Sequence, residues 1–445
     1  MKKITVLALI VIVAALAACG TETPPAGATT PPANQGGQAA QAQPTPGASG
    51  VDEITVWAWD PNFNIRALDI AAEFFAEVNP YVHVNIVEDA QDSIVQRLNV
   101  IFASGTTVGL PNAVLIEDYR SQTFLQAFPG MFYELSAYIN PSDFAPYKIA
   151  ITSFEGRQYG VPFDTGVTGM YVRTDILEEA GFTLADVTNI DWNEFVEIGR
   201  AVHEATGVTM ANFDPNDMAP IRIMIQTAGV WYTLDDGMTI NIANNPAIYS
   251  AFEILRDIVE AGLYTPNTDW GTFLRTFNDG DVWSVVTGNW ITPSIMAEAS
   301  QHGNWAVVPT PRLPLPGAVN ASNLGGSSWY VINMEGREEA AQFLQSTFGS
   351  NVAFYERLMY DIGAMSTFIP YFDSPVFDRE MDFFSGQRIF ADFATWTEMI
   401  PQVNYGLHTY AIDTILSVAL QSVLAGGDIQ SALDSAQSQA ETQLN

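Results

Sequence analysis

The early part of the chain alternates between strand and helix patterns, and this alternation restricts the possible fold more than any other feature. Residues 54–59 are apolar and aromatic, as in a buried strand, and residues 68–78 carry apolar side chains at helical spacing. Residues 82–86 alternate as a second strand, residues 94–102 are again helical, and residues 113–116 form a short apolar run. This order predicts an α/β fold in which a parallel sheet has helices on its faces.

Candidate ligand-binding side chains follow two of these predicted strands. Trp57, Trp59 and Asp60 lie at the end of the first strand, and Glu117 and Asp118 follow the third. Ligands of open α/β sheets bind beyond the carboxyl ends of the strands. Either group alone would be unremarkable, and Trp57 also fits a buried strand position. Their shared position at strand ends favours a binding site.

The N-terminus has the pattern of a secretory signal. Lys2 and Lys3 precede an apolar run over residues 4–18, which is shorter than the roughly 20 residues of a spanning helix. The one cysteine of the chain, Cys19, follows directly after small residues. The segment resembles a bacterial lipoprotein signal, in which Cys19 is diacylated after cleavage of residues 1–18. The alternative is a plain signal peptide followed by an incidental cysteine.

Residues 19–50 are predicted to be a disordered tether. After Cys19 the segment is mostly Pro, Gly, Ala, Thr and Gln, with one charged residue, Glu22, and no aromatic residue. Such a composition buries too little apolar surface to offset the entropy of ordering. A flexible chain of this length would reach on the order of 30 Å. The folded body is therefore expected to begin near Val51.

The charge balance is strongly acidic. The chain has 50 Asp and Glu against 17 Lys and Arg, and removal of the signal would leave 15 basic residues and a formal charge of about −35. Nucleic acid is excluded as a partner because phosphate binding needs basic patches. Anionic lipid headgroups should also repel the body, so the lipid on Cys19 would provide the membrane attachment. The acidity favours a cationic ligand or reflects solubility.

Several other kinds of chemistry are not supported by the sequence. One cysteine cannot form an intramolecular disulfide, and the histidines lack metal-ligand spacing; they are His83, His203, His302 and His408. A Gly-Lys dipeptide, as in a phosphate-binding P-loop, does not occur, and neither does a Gly-x-Ser-x-Gly nucleophile motif. We therefore predict no metal and no cofactor.

Short segments along the chain together resemble a known family. They are Tyr159-Gly160-Val161-Pro162, residues 174–181 (TDILEEAG), Trp192-Asn193-Glu194-Phe195, Gly288-Asn289-Trp290, Gly325-Gly326-Ser327 and the closing helix that ends at Gly426-Gly427. Each segment alone is weak evidence for any one family. In this order, across nearly all of residues 51–445, they resemble the extracellular solute-binding proteins of sugar-type ABC importers, the maltose-binding-protein-like group.

The resemblance implies a periplasmic-binding-protein-like type II fold, with two α/β lobes around a ligand cleft. Three chain crossings would join the lobes: near residues 161–166, near residues 323–328, and before Trp396. Lobe 1 would comprise residues 51–162 plus 329–385, and lobe 2 residues 163–328 plus 386–445. Ligand would bind in the cleft and be enclosed by closure of the hinge.

The resemblance also implies which residues contact ligand. Sugar sites combine flat aromatic rings with a few fixed polar groups. The positions carried over are Trp59, Asp60, Asn62, Glu117, Asp118, Asp164, Asn289, Trp290, Trp329 and Tyr405, with Trp231 added from the second lobe.

The implied function is that of a receptor, not an enzyme. The protein would be a monomer, lipid-anchored through Cys19 on the extracytoplasmic face of the cell membrane. It would bind a sugar or oligosaccharide and deliver it to the transmembrane subunits of an ABC permease. One alternative is a receptor for a cationic solute such as a polyamine, which the acidity would suit. Another is a surface-anchored glycoside hydrolase, which would use two carboxylates about 5–10 Å apart.

Overall fold

The computed structural model describes residues 51–444. The predicted signal peptide, Cys19 and the predicted tether lie outside the described residues. Within the described part, no helix is long and apolar enough to cross a membrane.

Strands and helices alternate through most of the described chain. The strands are β1 (Glu53–Ala58), β2 (His83–Glu88), β3 (Ala113–Glu117), β4 (Ser153–Phe154), β5 (Arg157–Gln158), β6 (Gly160–Pro162), β7 (Thr168–Arg173), β8 (Ala211–Phe213), β9 (Tyr264–Pro266), β10 (Ser284–Gly288), β11 (Trp305–Pro309) and β12 (Ser327–Val331). The α-helices are α1 (Asn64–Val78), α2 (Gln91–Ala103), α3 (Asp118–Ala127), α4 (Pro146–Thr152), α5 (Thr174–Glu179), α6 (Trp192–Thr206), α7 (Ala219–Thr227), α8 (Pro246–Glu260), α9 (Trp270–Asn278), α10 (Thr292–Met296), α11 (Arg337–Ser346), α12 (Val352–Ile362), α13 (Ile389–Met399), α14 (Thr409–Leu424) and α15 (Ile429–Leu444).

The first sheet has the strand order β2-β1-β3-β12-β6. Strand β1 pairs in parallel with β2 and β3, which confirms the predicted alternation. The sheet is mixed, however, because β12 returns from far along the chain and pairs antiparallel with β3 and β6. Neighbouring side chains of a strand point to opposite faces. Val56 therefore packs with Phe75 of α1, whereas Trp57 packs with Leu98 of α2.

The second sheet has the order β10-β7-β11, and all its pairs are antiparallel. Strands β8 and β9 form a parallel pair beside it, which is joined to the second sheet by a bridge between Thr209 and Val282. Helices α6, α7, α8, α14 and α15 bury their apolar faces in one cluster against this region. The two sheets with their helices make two α/β lobes.

Local capping fixes where the helices of the second lobe begin. Asp191 accepts hydrogen bonds from the backbone of Asn193 and Glu194, and the Glu194 carboxylate accepts from the Asp191 backbone. This capping box satisfies backbone donors that have no partner within the helix. Asn245 caps α8 by a single hydrogen bond, which its side chain accepts from the Ala247 backbone.

Three chain segments run side by side between the sheets. The backbone of Phe163 donates to Ser327 at 3.1 Å, and the backbone of Thr165 donates to Met365 at 3.0 Å. Val167 and Asp164 form further bridges, to Asn323 and Ser366. The first two segments lie where the crossings are predicted. The third, at Met365 and Ser366, also lies before Trp396, and the exact boundary of this crossing stays a prediction.

Candidate ligand-binding site

A cavity of about 260 Å³ opens beside the carboxyl end of β10. Its aromatic walls are Trp290, Trp270, Phe273 and Phe213. The ring centroids of Trp290 and Trp270 are 5.8 Å apart, and Trp270 stacks on Phe273 at 5.4 Å. Trp270 remains 44% exposed. Such rings offer flat apolar faces of the kind that saccharide C–H groups pack against.

Trp290 is held in place at the end of β10. Its indole Nε1 donates a hydrogen bond of 2.9 Å to the carbonyl of Leu324, in the second crossing segment. Gly288 makes this position possible, because a Cβ at that residue would lie 2.1 Å from Trp290 Nε1. The predicted Gly288-Asn289-Trp290 segment therefore places an aromatic ring between the second sheet and the crossing segments.

Trp270 occupies the first turn of α9. Asp269 caps this helix by accepting from the Thr272 backbone at 2.8 Å. The hydrogen bond from Thr272 lowers the pKa of Asp269. The capping geometry fixes the direction in which Trp270 leaves the helix, so the ring is presented at the cavity without being buried.

The polar lining of the cavity consists largely of acceptors. Three carboxylates belong to it: Asp214, Asp217 and Asp269. Asn267 also lines the cavity, is nine-tenths buried, and has an amide oxygen with no hydrogen-bond partner among the described residues. A buried acceptor without a partner is costly. The arrangement suits a ligand that donates hydrogen bonds.

Glu117 approaches the same region from the first sheet. A Cβ at Gly325 would lie 3.5 Å from Trp290 Nε1 and 3.9 Å from Glu117 Oε1. Gly325 has a φ of +79°, which an L-residue adopts only with strain. The Glu117 carboxylate of the first sheet and the Trp290 indole of the second sheet therefore both lie beside Gly325 of the second crossing.

The Glu117 carboxylate also accepts a hydrogen bond from the hydroxyl of Tyr410, on α14. Burial raises the pKa of Glu117, and the hydrogen bond from Tyr410 opposes this effect. The guanidinium of Arg120 lies 3.7 Å from the centroid of the Tyr410 ring. Nearby, Thr123 of α3 donates to the carbonyl of Leu407 at 2.7 Å. These contacts join α3 directly to the start of α14.

Asp118 and Asp164 lie in a buried cluster at the crossings, not in the cavity lining. Lys148, fully buried, donates to Asp118 Oδ2 at 2.5 Å and to the Ser327 carbonyl at 2.9 Å. Asp164 Oδ1 accepts from the backbone and the hydroxyl of Ser327, at 2.7 and 2.8 Å. Burial raises the pKa of Asp118, opposed by Lys148, and raises the pKa of Asp164 to about 6. Both carboxylates are therefore bonded to groups of the protein itself.

Trp231 and Tyr405 form an aromatic cluster with Tyr119. The ring centroids of Trp231 and Tyr405 are 4.7 Å apart, and Tyr405 meets Tyr119 edge-on at 4.6 Å. Trp231 is buried and donates to the Thr409 hydroxyl at 3.0 Å. The hydroxyl of Tyr405 accepts from Asn323 at 3.2 Å, and burial raises the Tyr405 pKa to about 12. The cluster supports the second crossing from the side of α14.

The predicted residues after β1 lie at the end of the first sheet. Asp60 adopts a left-handed φ of +61° and accepts from the Asn62 backbone at 3.0 Å. Burial raises the pKa of Asp60. Trp59 is half-buried and Asn62 is exposed. None of the three is among the described residues that line the cavity.

Two further residues that were predicted to contact ligand, Trp329 and Asn289, are buried in the protein. Trp329 is buried between Phe163 and Phe348, with ring centroids 5.8 and 5.1 Å away. This core position does not support ligand contact by Trp329. Asn289 is 1% exposed, and neither polar atom of its side chain has a partner among the described residues. Asn289 is not among the described residues that line the cavity.

Sequence reasoning missed most of the cavity lining, including Trp270, Asn267, Asp214 and Asp217. One local signal was available: Asp269 and Thr272 have the spacing of a helix cap, with Trp270 in the first turn. Within the described residues, no group of three or more His, Cys, Asp or Glu side chains has a geometry that could hold a metal ion.

Residues 69–369 match the family described as bacterial extracellular solute-binding protein. The lactose-binding protein of Rhizobium radiobacter is 40% identical over 89% of this chain and 94% of its own length. The arabinooligosaccharide-binding protein of Halalkalibacterium halodurans is 24% identical over 81% of this chain and 78% of its own length.

Solved structures match the fold over most of its length. The GacH receptor of Streptomyces glaucescens, determined unliganded and with acarbose, has a TM-score of 0.75 and 17% identity, over 88% of this chain and 98% of the receptor. A transporter-associated binding protein of B. animalis subsp. lactis was solved with beta-1,6-galactobiose. It has a TM-score of 0.74 and 19% identity, over 88% of this chain and 97% of its own. These likenesses confirm the predicted two-lobed α/β fold.

Proposed function

Because the chain belongs to the bacterial extracellular solute-binding protein family, we propose that it is an extracytoplasmic receptor that binds a sugar or oligosaccharide and delivers it to an ABC permease. The relatives named above are described as binding lactose and arabino-oligosaccharides. The family consists of binding proteins, and its description places them outside the cytoplasm.

The observation that carries this proposal is the composition of the cavity beside Trp290. Two indole rings, Trp290 and Trp270, line the cavity together with three carboxylates and the amide of Asn267. Aromatic faces suit the C–H surfaces of a pyranose ring, while the acceptors suit its hydroxyls. Glu117 approaches from the other sheet. We propose Trp290 and Glu117 as ligand contacts, one from each lobe.

The remaining predicted residues are assigned according to their surroundings. We propose that Trp59, Asp60 and Asn62 reach the ligand from the end of β1 when the lobes close, and that the Asn289 amide bonds a ligand hydroxyl or a water molecule. Asp118, Asp164, Trp231, Trp329 and Tyr405 are proposed to support the crossings and the core. Their partners within the protein favour this assignment.

The direct test is calorimetric titration with lactose. The purified protein should bind lactose, and Trp290→Ala should weaken binding by about 1–3 kcal/mol, the scale of a truncated aromatic anchor. Trp290→Phe is the control, because it keeps a flat ring but loses the hydrogen bond to Leu324. If the protein binds an arabino-oligosaccharide and not lactose, the proposed receptor function stands and only the identity of the sugar changes. If the protein binds spermidine and no saccharide, the proposed function is wrong and the protein is a polyamine receptor.

We further propose that the lobes close around the ligand by bending at the three crossing segments. Support comes from the adjacent backbones near Phe163, Ser327 and Met365. The lobe ranges 51–162 plus 329–385 and 163–328 plus 386–445 remain a prediction. Contacts between Ser385 and Gly303 and between Gln387 and Val307 favour an earlier end of the lobe-1 insertion. We therefore propose the third crossing near Met365.

The lipid anchor on Cys19 is also a proposal, supported by the signal-like sequence before it. Cys19→Ala should release the protein from the membrane or leave an uncleaved precursor. Metabolic labelling with a tritiated fatty acid would measure this directly. Fatty acid incorporated into the Cys19→Ala protein would contradict the proposal.

Finally, we propose that the protein acts as a monomer and does not hydrolyse its ligand. Prolonged incubation with lactose should release no glucose in an enzymatic glucose assay, and sedimentation should give the mass of one chain. Glucose release that Glu117→Gln abolishes would establish the hydrolase alternative instead.

A further inference from the structure

The cavity beside Trp290 has an unusual charge composition. Three carboxylates line it, Asp214, Asp217 and Asp269, and none of the described lining residues is Lys, Arg or His. The surrounding protein is strongly acidic as well, with a formal net charge of −33 for the whole chain. The charged side chains of the described lining are therefore all negative, which disfavours an anionic ligand.

Each carboxylate is fixed by its own turn. The Oδ1 atoms of Asp214, Asp217 and Asp269 accept backbone hydrogen bonds of 2.8, 2.9 and 2.8 Å, in that order. In Asp214 and Asp217 the other oxygen keeps its acceptor capacity, whereas Asp269 Oδ2 also accepts from the Thr268 hydroxyl at 3.3 Å. The hydrogen bond from Thr272 lowers the pKa of Asp269, which keeps that group ionised.

Asn267 gives an independent indication that the cavity receives a ligand with hydrogen-bonding groups. It is nine-tenths buried and lines the cavity, and its Oδ1 has no partner among the described residues. A native protein rarely leaves such an oxygen without a donor.

A buried cation beside the lining, Arg222, is shared between two carboxylates. Arg222 Nη2 lies 3.7 Å from Asp217 Oδ1, but this guanidinium is buried and paired with Asp413. It does not line the cavity. The exposed face of Trp270 adds a second preference of the same sign, because the quadrupole of an indole face attracts cations and repels anions.

We propose that this cavity selects saccharides by charge: it accepts neutral saccharides and those that carry a protonated amine, and it excludes those that carry a carboxylate or phosphate. This inference rests on the proposed saccharide-binding function and specifies the substrate class of the same site. The three lining carboxylates, the lack of a basic side chain among the described lining residues and the exposed indole ring of Trp270 all act in this direction.

Two matched pairs of disaccharides test the proposal by calorimetry. Lactose is compared with its 2-amino analogue, unacetylated galactosyl-(1→4)-glucosamine, which differs by one amine. Lactitol is compared with lactobionate, since both have an open-chain end and differ by one carboxylate. The amine should bind at least as tightly as lactose. Lactobionate should bind at least about tenfold more weakly than lactitol, and added salt should reduce that ratio.

The variant Asp214→Asn with Asp269→Asn tests whether the lining carboxylates cause this preference. Asparagine retains the Oδ1 acceptor in both turns, so the fold should persist. The control is Asp236→Asn with Asp428→Asn, which makes the same charge change. Asp236 and Asp428 hold equivalent turns through Met238 and Ser431 and do not line the cavity.

The ratio of the lactitol affinity to the lactobionate affinity should fall by roughly threefold or more in the Asp214→Asn/Asp269→Asn variant. It should stay constant in the control. Equal binding of lactitol and lactobionate to the wild-type protein would overturn the inference and leave the receptor function intact. An equal change in both variants would also overturn it, because a general charge effect would then explain the preference. If no saccharide of any charge binds, the proposed function fails, and this inference fails with it.

Discussion

The carboxyl of Asp164 should make the stability of the protein depend on pH in a defined direction. It is buried at the first crossing, where it accepts two hydrogen bonds from Ser327. Burial raises its pKa to about 6, from an ordinary value of 3.8. The folded protein therefore holds this proton more tightly than the unfolded chain does. The resulting stabilisation is complete below pH 3.8 and is lost as the pH rises through about 6.

The size of the effect follows from the shift. About two pKa units correspond to about 3 kcal/mol of unfolding free energy. Asp164→Asn cannot titrate, and it retains an oxygen for the donors of Ser327. The variant should match the wild-type protein near pH 4. By pH 7 it should be more stable relative to wild type by up to about 3 kcal/mol.

Urea denaturation of both proteins at intervals between pH 4 and pH 7 measures this difference, and other titrating groups cancel in the comparison. Asp236→Asn is a control of opposite sign, because hydrogen bonds from Thr239 lower the pKa of Asp236. A wild-type-minus-variant difference that stays constant with pH, or that changes in favour of Asp164 as the pH rises, would refute the reasoning.

Three further changes should have distinct effects. Lys148→Met should lower the unfolding free energy by about 3–5 kcal/mol, because it leaves Asp118 buried without its cation. Urea denaturation measures this loss, and recovery of stability when Asp118→Asn is added distinguishes the unpaired charge from lost packing. Tyr410→Phe removes the hydrogen bond to Glu117 and should weaken lactose binding roughly tenfold by calorimetry; unchanged affinity would show that this contact does not favour closure. Trp270→Ala should weaken lactose binding by about 1 kcal/mol while the melting temperature changes little, because the ring is half-exposed; full affinity would remove Trp270 from the site.

Much of the fold could be predicted from the sequence because its signals are local. The cap of α6 needs only Asp191 and Glu194, three residues apart. The helix–strand alternation through β3 depends on side-chain periodicity within single elements. The antiparallel insertion of β12 into the first sheet was not predictable in this way, because its pairing with β3 joins residues more than 200 positions apart.

The site was less predictable because neighbouring residues acquire distant and different partners. Glu117 and Asp118 are adjacent, yet Glu117 bonds Tyr410 of α14 whereas Asp118 bonds Lys148 of α4. No local pattern distinguishes their roles. Trp329 illustrates the same limit, since only the assembled sheet shows that its ring faces the core. Strand ends predict the region of a site, while tertiary contacts decide which side chains reach it.

The most direct test of the central claim is to measure lobe closure while lactose binds. Spin labels at the exposed positions Val100 of α2 and Val418 of α14, with Cys19 replaced by Ser, report the distance between the lobes. Small-angle scattering of the unlabelled protein reports its radius of gyration. Saturating lactose should shift the distance distribution toward one narrow population and reduce the radius of gyration, because contacts from both lobes favour the closed form. Lactose bound with calorimetric saturation, but with both measurements unchanged, would contradict a hinge-closing saccharide receptor.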